Sequence, residues 1–287
     1  KLVWLREDDM RGGYYRPLFH HALEAALDGS GKLVGWHHRL VGQSILTGSP
    51  FEAMMVKDGI DHVSVEGASN LPYAIPNLLV DLHTPTDIGV PVLWWRSVGS
   101  SHTAYSTEVF LDQVAAAMGK DPVALRLELL TEHPKHAGVL KLAAEKANWG
   151  TPLKAAAGER RGRGVAVHES FNSFVAQVAE VTVKKDGSIK VDRVICAVDC
   201  GTAINPDNIR SQVEGAVGFA LTAALSGEIT LKGGRVEQGN FDGYPLLRIG
   251  DMPKVEVHIV PSTAAPTGIG EPGVPPLAPA VANAIAA

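Results

Sequence analysis

The sequence predicts an α+β fold of mixed sheets and helices in two sub-domains, and three observations carry that expectation. Strand-like and helix-like stretches fall into unequal clusters and not into regular βαβ units. Two hairpin signals, Asp28-Gly29-Ser30-Gly31 and Asp186-Gly187, each join runs of strand-forming residues. Between them, from Thr103 to Asn148, the periodicity is helical.

Taken in order, the chain opens on Leu2-Val3-Trp4-Leu5, an apolar run that reads as a strand. His20 to Val41 reads as two strands around the Asp28 to Gly31 turn, whose glycines allow positive φ. From Thr103 to Met118, Tyr105, Val109, Phe110, Val114 and Ala117 recur at helical spacing, and Gly119 stands where a C-terminal cap belongs. Asp121-Pro122 restarts a helix through Leu125, Leu129 and Leu130, with Asp121 as the cap. A third helix runs near Gly138 to Asn148.

The periodic pattern lapses at Thr151 to Gly164, so the chain is expected to divide into 1–155 and 156–287. Beyond that boundary, Val175 to Val183 and Ile189 to Val198 flank Asp186-Gly187 as a hairpin. Asn205-Pro206 ends the strand, and a helix is expected from Ile209 to Leu225. A hairpin at Gly233-Gly234 and a strand from Val255 to Val260 lead into the loop Pro266 to Pro276. Ala280 to Ala287 reads as an unfinished helix without a cap, and with Lys1 in place of a start methionine both ends read as cut.

Bulk properties exclude several classes of function. The chain has 287 residues, 45% hydrophobic and 20% charged, which suits a packed core and argues against disorder. The formal charge of -5 and the lack of a Lys/Arg-rich run speak against nucleic acid. No apolar stretch reaches the roughly 18 to 20 residues of a bilayer span. Two cysteines, Cys196 and Cys200, cannot supply the four thiolates of a [2Fe–2S] cluster and read as buried free thiols. Among the eleven histidines there is no H-E-x-x-H, so a protein-ligated zinc is not expected. The motifs of serine hydrolases, P-loop nucleotide hydrolases and nicotinamide-binding domains are equally missing.

Three segments could carry chemistry. In Pro266 to Pro276 a single carboxylate, Glu271, sits among three glycines and four prolines with no other charge. Reduced hydration in such a frame would raise its basicity and suit a general base, the ordinary alternative being an exposed loop glutamate. Arg96-Ser97-Val98-Gly99-Ser100-Ser101-His102 is a small-residue turn before a helix, fit to hold an anionic oxygen or simply to cap. Gln212 leads Glu214, Gly215 and Gly218 on an apolar helix, where glycines allow a flat cofactor, or a packed neighbour, to approach.

Trp95-Arg96-Ser97-Val98-Gly99, Gly119-Lys120-Asp121-Pro122, Gln212-Val213-Glu214-Gly215 and Gly270-Glu271-Pro272-Gly273, in that order, resemble the molybdenum-binding subunit of the xanthine oxidase and aldehyde oxidoreductase family. The isoquinoline 1-oxidoreductase beta-subunit branch is the most similar. The resemblance covers essentially the whole chain and implies the fold of the family's molybdenum-cofactor domains. It implies insertion of water-derived oxygen into a C–H bond of an aldehyde or aromatic N-heterocycle at a molybdenum held by molybdopterin, in the cytosine dinucleotide form, without a protein ligand to the metal. Electrons would leave through a [2Fe–2S] partner subunit.

By that resemblance Glu271 is the catalytic base, Arg96, Ser97, Val98 and Gly99 form the turn beside the metal, and Gln212 and Gly270 contact the pterin. Ser97 and Val98 stand where the wider family has glycine and phenylalanine, which removes the aromatic that would stack on a purine. The family's upstream pterin loops would precede Lys1, so residues 1 to 287 alone are expected to be inert. The alternative is a noncatalytic domain of the same fold that docks a redox partner or assembles a complex.

Overall fold

Asp28 builds its own turn. In the computed structural model, which describes residues 1–287, its Oδ1 accepts from the Ser30 amide at 2.8 Å, the Ser30 hydroxyl at 2.6 Å and the Lys32 amide at 3.0 Å. Ahead of it lies α1 (Arg6–Gly12). Leu2 to Leu5 form no strand: nothing pairs with them and their side chains are exposed, so strand propensity finds no partner to act on.

The turn joins β1 (Phe19–Leu27) to β2 (Leu33–Gly42), antiparallel, with Leu23 opposite His38. A compact excursion follows: α2 (Glu52–Met55), β3 (Val56–Lys57), β4 (Ile60–Asp61) and α3 (His62–Val65). The Asp61 carboxylate caps α3 by accepting from the Val63 amide at 2.9 Å. Then β5 (Asn77–His83) returns parallel to β2, giving a sheet of order β1-β2-β5.

Three helices come next: α4 (Ser100–Ala117), α5 (Pro122–Leu129) and α6 (Pro134–Lys146). As expected, Asp121 caps α5, accepting from the Ala124 amide at 2.9 Å. Both α4 and α6 begin a few residues earlier than their apolar periodicity suggests, because the first turns are polar or Pro-led.

The second sheet contains β6 (Glu159–Ser170), β7 (Ser173–Lys184) and β8 (Ile189–Asp199). Strand β6 starts inside the segment whose pattern had lapsed. Its arginines are matched across the sheet, Arg163 to Glu180 at 2.9 Å and Arg161 to Asp192 at 3.3 Å, so charge there is compatible with a strand. α7 (Pro206–Leu225) is capped by Asn205. β9 (Leu231–Lys232), β10 (Arg235–Val236) and a 3₁₀ turn at Ile249–Asp251 precede β11 (Lys254–Ile259), which pairs parallel with β8, and α8 (Leu277–Ala286) closes the chain.

The sheet order is β11-β8-β7-β6, and helices cover both faces. Val165, Val167, Ala176, Val178 and Ile195 face α4, α5 and α6, together with Leu33 and Trp36 of the hairpin, so one core joins the two sheets. Ala166, Ala179 and Val194 face α7 and α8. Contact with α8 is close enough to require glycine: a Cβ on Gly164 would lie 2.1 Å from the Ala280 carbonyl oxygen. Both cysteines are free and buried. No helix is long and apolar enough to cross a membrane.

Candidate active site

The turn before α4 is built from a strained backbone. Ser97 and Val98 have φ of 76° and 49°, a region that glycine populates freely and a β-branched residue rarely enters. The Val98 amide closes the turn on the Trp95 carbonyl at 2.8 Å. Gly99 follows, where a Cβ would sit 1.9 Å from the Val63 carbonyl oxygen. Position 97 thus has a backbone reason to favour glycine, and Ser97 uses its side chain instead.

That side chain and its amide hold the glutamate loop. The Ser97 amide donates to Glu271 Oε2 at 2.6 Å, and the Ser97 hydroxyl donates to the Glu271 carbonyl at 2.8 Å. No hydrogen bond within the chain reaches Glu271 Oε1. Arg96 donates from Nε to the Gly270 carbonyl at 3.0 Å, and its Nη2 reaches the same oxygen and Gln212 Oε1, the latter at 3.2 Å. Segments separated by 174 and 116 residues meet at one place.

In sequence the Glu271 loop is free of other charge; in space it is not. Burial lowers the Arg96 guanidinium and the negative charge of Glu271 opposes that shift, because the turn delivers both to the same edge. The expectation of an isolated carboxylate is corrected accordingly: one oxygen is oriented by an amide, beside a cation.

Support for the loop comes from β7. Ser173 Oγ donates to the Gly268 carbonyl at 2.6 Å, and Gln177 Nε2 donates to the Gly273 carbonyl at 2.8 Å. Both residues are fully buried, and Gln177 Oε1 has no partner. Sequence reasoning missed them, although a glutamine inside the apolar run Val175 to Val183 was the signal to read. Glu66 was missed as well: its Oε1 accepts from the Ser100 amide at 3.1 Å.

On the Val98 side lies a cleft lined by Arg16, Phe19, Trp94, Trp95, Val98 and His102. Arg16 sits 4.7 Å from the Trp95 ring centre, and His102 stacks on Phe19 at 3.9 Å. Behind the wall, His102, His21 and His38 form a row, with ring nitrogens 3.2 and 2.8 Å apart. Burial holds His21 down to about 4 and His38 to about 3, so the row is neutral.

These residues fit a pterin-bound metal. Gly270 and Gly215 are open, with no atom within 4 Å of where a Cβ would stand, so backbone is available to a flat ligand beside the exposed Gln212 amide. No group of three or more His, Cys, Asp or Glu side chains is placed to hold a metal ion, so a metal at Glu271 would have to bring its own ligands, as a dithiolene does.

Two models described as molybdopterin cofactor-binding domain match residues 1–130 and 111–253. The chain is 30% identical over 291 residues to isoquinoline 1-oxidoreductase subunit beta of Brevundimonas diminuta, covering 100% of this chain and 36% of that one. It is 29% identical to the membrane-bound aldehyde dehydrogenase [pyrroloquinoline-quinone] of Gluconacetobacter polyoxogenes, covering 99% of this chain and 40% of the other. The crystal structure of quinoline 2-oxidoreductase from Pseudomonas putida 86 superposes with a TM-score of 0.82 at 12% identity, over 98% of this chain and 60% of that one, which shows the shared fold. The chain belongs to the molybdopterin-binding subunits of the xanthine oxidase family. It spans two fifths or less of the two curated relatives, 36% and 40%.

Proposed function

We propose that this chain forms the catalytic half of a molybdenum hydroxylase subunit that oxidises an aldehyde or an aromatic N-heterocycle with oxygen from water. The observation that carries the reading is the convergence of Arg96-Ser97, Gln212 and Gly270-Glu271 at one place, where the Glu271 carboxylate is held by the Ser97 amide through one oxygen and keeps the other free. The names of the relatives, an isoquinoline oxidoreductase and an aldehyde dehydrogenase, support the two substrate classes.

Bound here, the cofactor would supply a redox centre able to take two electrons from a C–H bond. Gln212 and the Gly270 backbone would hold its pterin, and the cytosine dinucleotide form is the one we assign. Arg96 fixes the two segments relative to each other. The Ser97 amide holds Glu271 through Oε2 and leaves Oε1 without a partner, free to take the proton of the water-derived nucleophile. Val98 and the aromatic cleft beside it receive the substrate and exclude water from the reacting carbon. With two cysteines in the chain, electrons would leave through a [2Fe–2S] partner subunit.

The test is dye-coupled oxidation of an aldehyde and N-heterocycle panel by the intact protein and its Glu271→Gln variant at matched molybdenum. Turnover lost in the variant is the expected result. Equal turnover, or a preparation holding pyrroloquinoline quinone in place of pterin, would overturn the reading. A noncatalytic docking domain would show no dye reduction with any substrate.

A further inference from the structure

The strained turn needs an anchor at its far end. Ser97 and Val98 are held from one side by their bonds to Glu271 and Trp95, yet two successive non-glycine residues at positive φ persist only where the surroundings over-determine them. On the other side the segment from Asp61 to Gly67 meets the first turn of α4. Glu66 Oε1 accepts from the Ser100 amide at 3.1 Å, and the Glu66 carbonyl accepts from Thr103 Oγ1 at 2.6 Å. Gly99 is pressed between them: its absent Cβ would lie 3.0 Å from Glu66 Cγ and 1.9 Å from the Val63 carbonyl oxygen.

That segment is itself rigid. Asp61, almost fully buried, accepts from Ser44 Oγ at 2.6 Å and Ser64 Oγ at 2.9 Å while capping α3. Asp61 thus fixes α3, Glu66 follows α3 directly and meets Gly99 and Ser100, and Ser97 in the same turn bonds Glu271.

We propose that Glu66 is a positioning residue of the site: its carboxylate holds the opening amides of α4, and with them the turn from Arg96 to Gly99 in the shape that presents the Ser97 amide to Glu271. Its consequence for turnover rests on the function proposed above.

The hold depends on pH. Burial, with the negative neighbours Asp61 and Glu169, pushes the Glu66 carboxyl up to about 7, against the pull of the Ser100 and Gly99 amides. His168 of β6, lying against the adjacent Gly67, is pushed down to about 4 by burial and lends no charge near neutrality. His102 on the capped helix is likewise lowered, chiefly by burial. While Glu66 stays buried, its ionised form binds the amides more strongly than the neutral acid does, so the local hold on the turn strengthens as pH rises through about 7 even though its contribution to global stability falls over that range.

Hydrogen exchange across residues 95–103 of the intact, cofactor-loaded protein tests this, with Glu66→Ala and Glu66→Gln beside wild type. Losing a charge-assisted bond lowers protection there on the order of tenfold in Glu66→Ala, with β6, β7 and β8 unchanged and Glu66→Gln in between. After correction for intrinsic rates, wild-type protection steps between pH 6 and 8, and Glu66→Gln shows no step. At matched cofactor content kcat falls in Glu66→Ala with KM unchanged, and Glu66→Gln recovers part of it. Unaltered protection in Glu66→Ala, or a retained step in Glu66→Gln, overturns the proposal. So does lost protection with full kcat where Glu271→Gln abolishes turnover. If Glu271→Gln also leaves turnover intact, lost protection supports the positioning and overturns only the reading of the site.

Discussion

Two charged clusters touch α4, one under its middle and one at its start, and they treat a buried or half-buried carboxylate in opposite ways. Under the middle, Glu108 is saturated. Arg126 Nε reaches Oε2 at 2.9 Å, the Val167 amide reaches the same oxygen at 2.8 Å, and the Tyr73 hydroxyl donates to Oε1 at 2.5 Å. Arg126 is closed in turn by Asp112 at 2.5 Å and by the Glu108 and Pro122 carbonyls. At the start of the helix Glu271 keeps one oxygen free, and the residues that hold the other are backbone-strained. A network that is fully satisfied rigidifies the fold; Glu271 retains unused bonding capacity beside a strained turn, which is what the proposed role as a base requires.

The contrast is broken most severely by Glu271→Gln. Glutamine keeps an oxygen for the Ser97 amide and loses only the ability to take a proton. A fall in kcat of about 10² to 10⁴ is expected with the thermal midpoint unchanged, read by dye reduction and calorimetry on the same preparation. Glu108→Ala should give the mirror result. It leaves Arg126 buried without its main partner, which costs about 3–5 kcal/mol of stability. Urea unfolding measures that loss, and turnover per folded molecule should hold at temperatures where the variant stays folded.

Acid sharpens the comparison at smaller amplitude. His21 and His168 are held down to about 4, and His38 and His136 to about 3, chiefly by burial. Their folded values lie below the unfolded value near 6.5, so the unfolded chain binds more protons between the two. The stability they contribute is complete above about pH 6.5 and is lost as pH falls toward 4 and 3. Each contributes a slope of at most about 1.4 kcal/mol per pH unit. Glu66, raised to about 7, runs the other way: its contribution is present below the unfolded carboxylate value near 4.5 and is lost as pH rises through 7. Melting temperatures from pH 7.5 to 4.5 should fall steeply below 6.5, and replacing His136 with glutamine should flatten that limb.

What the sequence made legible follows from the range over which each signal acts. Asp28 and Asp121 announce a turn and a cap because their partners lie two to four residues away, whereas Asn205-Pro206 was legible only as a strand break, and the Asn205 cap starts α7 at Pro206, ahead of the expected Ile209. The pairing of β11 with β8 and of β5 with β2 leaves no such local mark, since strand partners are chosen by packing. Strand β6 was hidden by arginines whose acidic partners lie on other strands of the sheet, Glu180 on β7 and Asp192 on β8. In the site, Arg96, Gln212 and Glu271 were legible as ordered motifs, and their convergence was not. Glu66, Ser173 and Gln177 carry no motif. They matter through a backbone amide and two backbone carbonyls far away in sequence.

The smallest effect tests the strain itself. Val98 at φ 49° bears a β-branched side chain in a region that costs roughly 1–2 kcal/mol for an L-residue, whereas glycine there loses about 0.5–1 kcal/mol through the freedom of the unfolded chain. Val98→Gly should therefore raise stability by up to about 1 kcal/mol. Its removal of a cleft-lining side chain should raise KM more than it changes kcat. Ser97→Gly relieves the same kind of strain but forfeits the hydroxyl bond to the Glu271 carbonyl, worth about 1 kcal/mol, so its two terms nearly cancel. Equilibrium unfolding of the pair separates them. A gain for Val98→Gly beside no change for Ser97→Gly locates the strain in the backbone of the turn, whereas a loss in Val98→Gly would mean that packing of the valine outweighs it and that the turn is held by its side chains.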